Sequence, residues 1–449
     1  MRNKTLSPQS DALMPRDLRV NYRVMARSIS SCRIGANFLA VSAILLLAGC
    51  GGGSAGNGDN PVVPPTPAPE PAKVFASAAA MGESLFFDKN LSLNRTQACA
   101  TCHDPERAFT DSRLDDAGLP PAFSLGDDGF SRVSRNVPTA AYASQTPIFQ
   151  FGTQARFNSQ QPDYEGYIGG QFLDGRAADL EEQAKGPPIG AQEMGMPDKA
   201  SVVERLQENP DYVVSFKAIY SEDIFDDVEA AYDAMAESIA AFERTELFAS
   251  FDSKYDKSLT GDYLYEPGSK AALGKALFFS QQFTNCATCH QLEPNGSRNE
   301  TFTNFEFHNI GTPVNEEARI AANIPLDELD EGLLANPDVN DPAEIGKYKV
   351  PTLRNIAVTA PYMNNGVFRK LETVIRFYDK FFVGSDNLIN PETGAPWREP
   401  PFPDTVSLAE LEDGRKLSED DIEALVCFLR TLTDQRYEPL IEERGIACD

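Results

Sequence analysis

The chain is poor in histidine. Three imidazoles, His103, His290 and His308, serve 449 residues, so any chemistry that needs many ring nitrogens is excluded. Tryptophan is scarcer still, with one copy at position 397. Basic residues are outnumbered, 40 Lys and Arg against 67 Asp and Glu, for a formal net charge of -27. A surface of that sign repels phosphate backbones, and no nucleic acid is expected as a partner. Long apolar runs are missing too. The stretch Phe38–Ala48 covers eleven positions, against the roughly 20 that a membrane-crossing helix needs. Eight cysteines scattered from Cys32 to Cys448 are too sparse for a disulfide-stapled miniature, which leaves specific cysteine chemistry.

What is present begins with an address. Arg33, the apolar run and Leu47-Ala48-Gly49-Cys50 together read as a lipoprotein signal-peptidase box. The competing reading is a short buried helix. Residues 51–72 are Gly-rich and then Pro-rich, a flexible tether. The expectation is a leader over 1–49, with a true start at Met25 as an option, and a lipidated Cys50 on a leash over 50–72. Such a protein faces the periplasm, touches the membrane through its lipid only, and by Gly51 sorts to the outer membrane or the cell surface.

Beyond the tether the chain repeats itself. Met81-Gly-Glu-Ser-Leu-Phe-Phe87 precedes Cys99-Ala-Thr-Cys-His103, and Leu273-Gly-Lys-Ala-Leu-Phe-Phe279 precedes Cys286-Ala-Thr-Cys-His290. The copies are offset by 187 positions, Cys99 against Cys286, too far for a solenoid and suited to two related domains. The expected division is 73–255 and 256–449. In C-x-x-C-H, two thiols add to the vinyl groups of one haem and the adjacent imidazole turns in to ligate iron. A zinc or dithiol redox site also uses C-x-x-C, but neither needs His in fifth place. Two covalent c-type haems are expected, on Cys99 and Cys102 with His103, and on Cys286 and Cys289 with His290. Only His308 remains as a third imidazole, so the two irons cannot both be bis-histidine.

Elsewhere helix and loop dominate. Val228–Glu243 places Val228, Ala231, Tyr232, Met235, Ile239 and Phe242 on one stripe, and Ser418-Glu-Asp-Asp421 caps a helix carrying Ile422, Leu425 and Leu429. Residues 115–170 and 385–405 hold few periodic segments, and no hairpin ladder is evident. The fold class expected is mainly α, two cytochrome c-like haem domains with long loops and little β structure.

With the haem motifs in place, the chain resembles the bacterial dihaem cytochrome c peroxidase superfamily, which includes the MauG-type enzymes. The resemblance covers nearly all of residues 75–435. It rests on Leu85-Phe-Phe87, Arg135-Asn-Val-Pro-Thr139, Asp174-Gly-Arg-Ala177, Leu180-Glu-Glu-Gln183, Gln192-Glu-Met-Gly195, Phe307-His-Asn-Ile-Gly311 and Val350-Pro-Thr-Leu-Arg-Asn355 through Tyr378, together with both haem motifs.

The resemblance implies that the His103 haem meets hydrogen peroxide, with Gln183 and Glu193 on its distal side. Heterolysis of an O–O bond needs a base that moves a proton from one oxygen to the other, a role open to a carboxylate. For the second haem it implies an axial side chain at Tyr378, with Met363 as the competitor and a core aromatic as the bland alternative for Tyr378. A phenolate stabilises oxidised iron, whereas a thioether raises the potential. It implies calcium held by Asn136, Thr359 and Pro361, oxygen donors of the hard kind calcium takes, against a purely structural turn. Three departures stand out: the family's inter-haem Trp is Leu173, its His in P-Y-x-H is Asn364, and the His that closes the peroxide site has no counterpart between His103 and His290.

The implied activity is an oxidoreductase of the cytochrome-c peroxidase type, reducing peroxide with electrons from a small c-type cytochrome. The alternatives are a MauG-like oxidase that modifies a residue of a partner protein, and a non-enzymatic electron carrier with both irons capped. His308 has no settled role, with a propionate, a backbone partner or a catalytic part all open. Cys427 and Cys448 are candidates for a disulfide that pins the C-terminal tail.

Overall fold

The computed structural model describes residues 71–115, 118, 120–442 and 446–448. The expected leader, Cys50 and most of the tether lie outside them. Residues 69–449 form one compact unit, and two hydrophobic cores lie within it.

The first half carries helices α1 (Ala78–Phe86), α2 (Cys99–Cys102), α3 (Leu180–Ala184), α4 (Gly186–Ile189), α5 (Lys199–Gln207), α6 (Pro210–Ile219) and α7 (Val228–Glu243). Strands β1 (Gln150–Gln154) and β2 (Tyr164–Ile168) sit between α2 and α3. The second half carries α8 (Lys254–Thr260), α9 (Lys270–Phe278), α10 (Cys286–Cys289), β3 (Phe307–His308), α11 (Glu316–Ala321), β4 (Tyr348–Lys349), α12 (Leu371–Asp379), β5 (Ile389–Asn390), β6 (Ala395–Pro396), α13 (Leu408–Leu411) and α14 (Glu419–Arg430). The described residues are mainly helical, and their strands pair as three antiparallel ribbons, β1–β2, β3–β4 and β5–β6.

The sequence repeat has a packing cause. In the first half α1 lies against α7, and a Cβ built on Gly82 would sit 1.8 Å from the Ser238 carbonyl oxygen. In the second half α9 lies against α14, and a Cβ on Gly274 would sit 1.9 Å from the Ala424 carbonyl oxygen. Both glycines hold the same place in the repeat, and only a residue without Cβ lets the two backbones approach so closely. Each pair then stands behind a Cys-Ala-Thr-Cys turn.

The expected long helices form where their stripes predict. Asp227 caps α7, its carboxylate accepting from Glu229 and Ala230 N–H, and Ser418 with Asp421 makes a capping box for α14. One expectation fails. The β1–β2 ribbon runs in register from Gln150 opposite Ile168 to Gln154 opposite Tyr164, and β5–β6 pairs inside 385–405. Both occur in stretches read as loop. No residue of β1 is fully buried, and its sequence lacks the apolar alternation that marks a half-buried strand. Cys427 and Cys448 are disulfide-bonded, tying the tail to α14.

Candidate functional site

Each Cys-Ala-Thr-Cys segment is a single helical turn, ended by its histidine. His103 Nδ1 lies 3.1 Å from the Phe109 carbonyl oxygen, and His290 Nδ1 lies 3.1 Å from that of Phe302. A ring whose Nδ1–H donates to a backbone carbonyl is held in the tautomer that leaves Nε2 with its lone pair, the state an iron ligand requires. Burial also lowers the pKa of both imidazoles, that of His290 to about 4. The neutral rings are therefore ready to ligate.

The four thiols are free. Burial pushes Cys99 up to about 12, aided by Glu243, and pushes Cys102 and Cys286 up to about 11. A reactive dithiol needs the opposite shift, so Cys99, Cys102 and Cys286 are unlike the thiols of such a pair.

Around the second motif a cavity of about 320 Å³ is walled by Cys286, Cys289, His290 and apolar side chains that include Phe278, Phe382, Leu411 and Leu425. Tyr378 and Met363 both line it. Tyr378 comes from α12, and the Cys289 and Cys286 thiols are its electrostatic neighbours. Burial raises the Tyr378 phenol well above its ordinary range, so a phenolate here needs a cation beside it. Tyr378, His290 and Cys289 keep partial exposure although they lie deep in the molecule, because they face this cavity. A flat, apolar group with an iron atom fits the donor set and the walls.

Around the first motif lie three acids, of which Asp111 is paired with Arg113 at 2.6 Å. Glu193 follows α4 and raises the pKa of both Cys99 and Cys102 electrostatically, which places it beside that pair. Its carboxylate accepts no hydrogen bond among the described residues, and burial lifts its pKa against the pull of Arg176. Gln183 sits on α3, which packs on α7, and its amide is likewise free of hydrogen bonds among the described residues. Glu243, at the end of α7, had no place in the sequence reading. It is 6% exposed, and burial raises it to about 8. Four positions on from Ile239, it continues the apolar stripe of its helix, and that was the available signal.

Asn136 and Pro361 meet although 225 positions separate them. Asn136 Nδ2 donates to the Pro361 carbonyl oxygen at 2.8 Å and points at that of Met363 at 3.4 Å. Thr359 lines the same space. Turned over, the amide would present Oδ1 beside these carbonyls, so the set fits a hard cation with water in its remaining positions.

His308 is held by protein. Its Nε2 lies 2.9 Å from Glu306 Oε2 and its Nδ1 3.3 Å from Ser407 Oγ. Arg156 Nη2 pairs with the same Glu306 oxygen at 2.7 Å. Cys289 approaches this cluster closely enough to complete a three-ligand set with Glu306 and His308. A thioether at Cys289 and the Arg156 pair remove two of its three donors, which argues against a metal there.

Comparison with known proteins agrees with this geometry. A sequence profile described as di-haem cytochrome c peroxidase matches residues 76–263. The methylamine utilization protein MauG of Paracoccus denitrificans is 49% identical over 371 residues, 82% of this chain and 92% of that protein. The chain belongs to the dihaem cytochrome c peroxidase and MauG family. Within that family, cytochrome-c peroxidase IdrP1 of Denitromonas iodatirespirans is 28% identical, over 76% of this chain and 82% of that protein. The crystal structure of the diheme peroxidase BthA from Burkholderia thailandensis superposes with a TM-score of 0.71 at 28% identity, covering 84% of this chain and 91% of that one. As a family member the chain is a dihaem, c-type oxidoreductase of the peroxidase and oxidase kind.

Proposed function

We propose that the chain uses hydrogen peroxide to oxidise a partner protein, with the peroxide site at His103 and the exit for oxidising power at His290 and Tyr378. The observation that carries the peroxide half is Glu193, a half-buried carboxylate with no hydrogen-bond partner among the described residues, beside Cys99 and Cys102. When bound, the two haems supply the electrons that reduce peroxide. Glu193 takes a proton from one peroxide oxygen and returns it to the other as that oxygen leaves as water. Gln183 offers its amide to orient the bound oxidant. Met194 and Met196, both buried, help keep bulk water away.

On the second side, His290 and Tyr378 would hold the iron from the cavity walls. The Tyr378 phenol, costly to ionise in its burial, becomes an anion when a metal cation takes the place of its proton. Asn136, Thr359 and Pro361 would hold a calcium ion. Lipidation of Cys50 would present the whole from a membrane surface facing the periplasm.

The 49% relative is a MauG, and Tyr378 suits an iron that shares oxidising equivalents, so a partner protein leads as substrate. A small c-type cytochrome as electron donor is the second reading, favoured by Leu173 at the position of the family's inter-haem Trp. The test is steady-state turnover of peroxide with a reduced small c-type cytochrome. Slow oxidation of that cytochrome, with rapid consumption of one equivalent of peroxide by the enzyme alone, supports the first reading. Fast steady-state oxidation overturns it in favour of the second.

A further inference from the structure

Among the described residues, Lys349 is the only lysine or arginine that lines the cavity beside Cys286 and Cys289. It belongs to β4, its backbone N–H donates to the Leu173 carbonyl at 2.9 Å, and its Nζ donates to the Gly170 carbonyl. The side chain lies deep in the molecule, and its accessible part faces the cavity. An ammonium group in such a place is costly without an anion.

The neighbouring carboxylates are already taken. Asp174, its electrostatic neighbour, is bound by Arg135 at 2.6 Å and Arg176 at 2.8 Å, and Asp330 is bound by Arg135 at 2.7 Å. The carboxylate nearest Lys349 in charge is thus already held by two guanidinium groups, in a chain whose net charge is -27. Among the described residues, the one carboxylate on the cavity wall, Glu410, is occupied by Arg156 at 3.3 Å. With no free anion near it, burial depresses Lys349 to about 7.

A haem carries two carboxylates at the edge away from its vinyl groups. Cys286 and Cys289 fix the vinyl edge, and Lys349 stands on the wall of the same cavity. We propose that Lys349 Nζ is the counter-ion of a propionate of the haem attached at Cys286 and Cys289. This inference rests on the dihaem reading above. A cation held there favours the reduced iron, which carries one positive charge fewer, so Lys349 keeps the second centre's reduction potential up.

The test uses the holoprotein and its K349M, K349Q and K349R variants. Covalent haem is counted after alkaline pyridine treatment, both reduction potentials are titrated optically, and the propionate-bending bands are read by resonance Raman scattering. Expected are two haems per chain, a lower potential at one centre only in K349M and K349Q, a shifted propionate band in both, and a return towards the parent values in K349R. K349Q carries the comparison if K349M does not assemble. Two haems with unmoved potentials and unmoved bands in the neutral variants overturn the assignment while leaving the dihaem reading intact. Absence of covalent haem from the parent protein would overturn both, and the haem count separates the two failures.

Discussion

Glu193 folds its carboxylate over Gly190: a Cβ added to Gly190 would lie 2.3 Å from Glu193 Oε2. The Glu193 N–H donates to the Gly190 carbonyl at 2.9 Å, so a tight turn aims the acid, and the missing side chain gives it room.

That relationship makes a graded prediction. Gly190 has an ordinary backbone conformation, φ -68 and ψ 116, so Gly190→Ala should fold and displace only the carboxylate. Reaction with peroxide should slow by about 10²-fold, as misplacement of a reacting group does. Glu193→Gln should cost about 10²–10⁴-fold, the range for loss of a general acid–base. Stopped-flow mixing with peroxide measures both, and parent-like rates in E193Q would remove Glu193 from the reaction.

Glu243 links stability to pH. Burial, opposed by Arg244 and aided by Glu181, raises its pKa from 4.5 to about 8. The native protein thus holds a proton that the unfolded chain releases above 4.5. Its contribution is complete below 4.5 and fades as pH climbs through 8. Glu243→Gln should flatten that decline and leave the variant more stable than the parent at pH 8, by on the order of a few kcal/mol at about 1.4 kcal/mol per pKa unit. Urea unfolding of the holoprotein from pH 5 to 9 gives the comparison, and parallel curves would contradict it.

Asn136→Ala should weaken calcium. It removes the one side-chain donor and keeps the carbonyls of Thr359 and Pro361. Calorimetric titration of chelator-treated holoprotein should show calcium binding in the parent and at least about tenfold weaker binding in the variant, the scale of one lost ligand contact at about 1.4 kcal/mol. Equal affinities would place the ion elsewhere.

The Cys427–Cys448 bond closes a loop with a sequence separation of 21. A double serine variant should lose about 3 kcal/mol by the loop-entropy argument, with haem content unchanged. A thermal melt insensitive to reductant would contradict this.

How much of this was legible beforehand depended on whether a residue acts locally. The haem turns could be read because thioether attachment needs a fixed five-residue order, and α7 and α14 because their stripes and caps lie within one helix. The hairpin between Gln150 and Ile168 could not, because β1 carries no apolar alternation and is held by its pairing with β2. Glu243 was half legible: its stripe position was visible, but the burial that raises its pKa comes from packing across the first core. Lys349 was not legible at all. Its meaning lies in Arg135, Asp174 and Asp330, distant along the chain and joined only by the fold.

The central claim is an unequal pair of centres, one accessible to peroxide and one closed by Tyr378. Electron paramagnetic resonance of the resting ferric holoprotein, before and after one equivalent of hydrogen peroxide, tests it most directly. The account predicts one high-spin and one low-spin ferric signal at rest, both lost on adding peroxide, with Tyr378→Phe altering the low-spin signal alone. Two low-spin signals that ignore peroxide would contradict it.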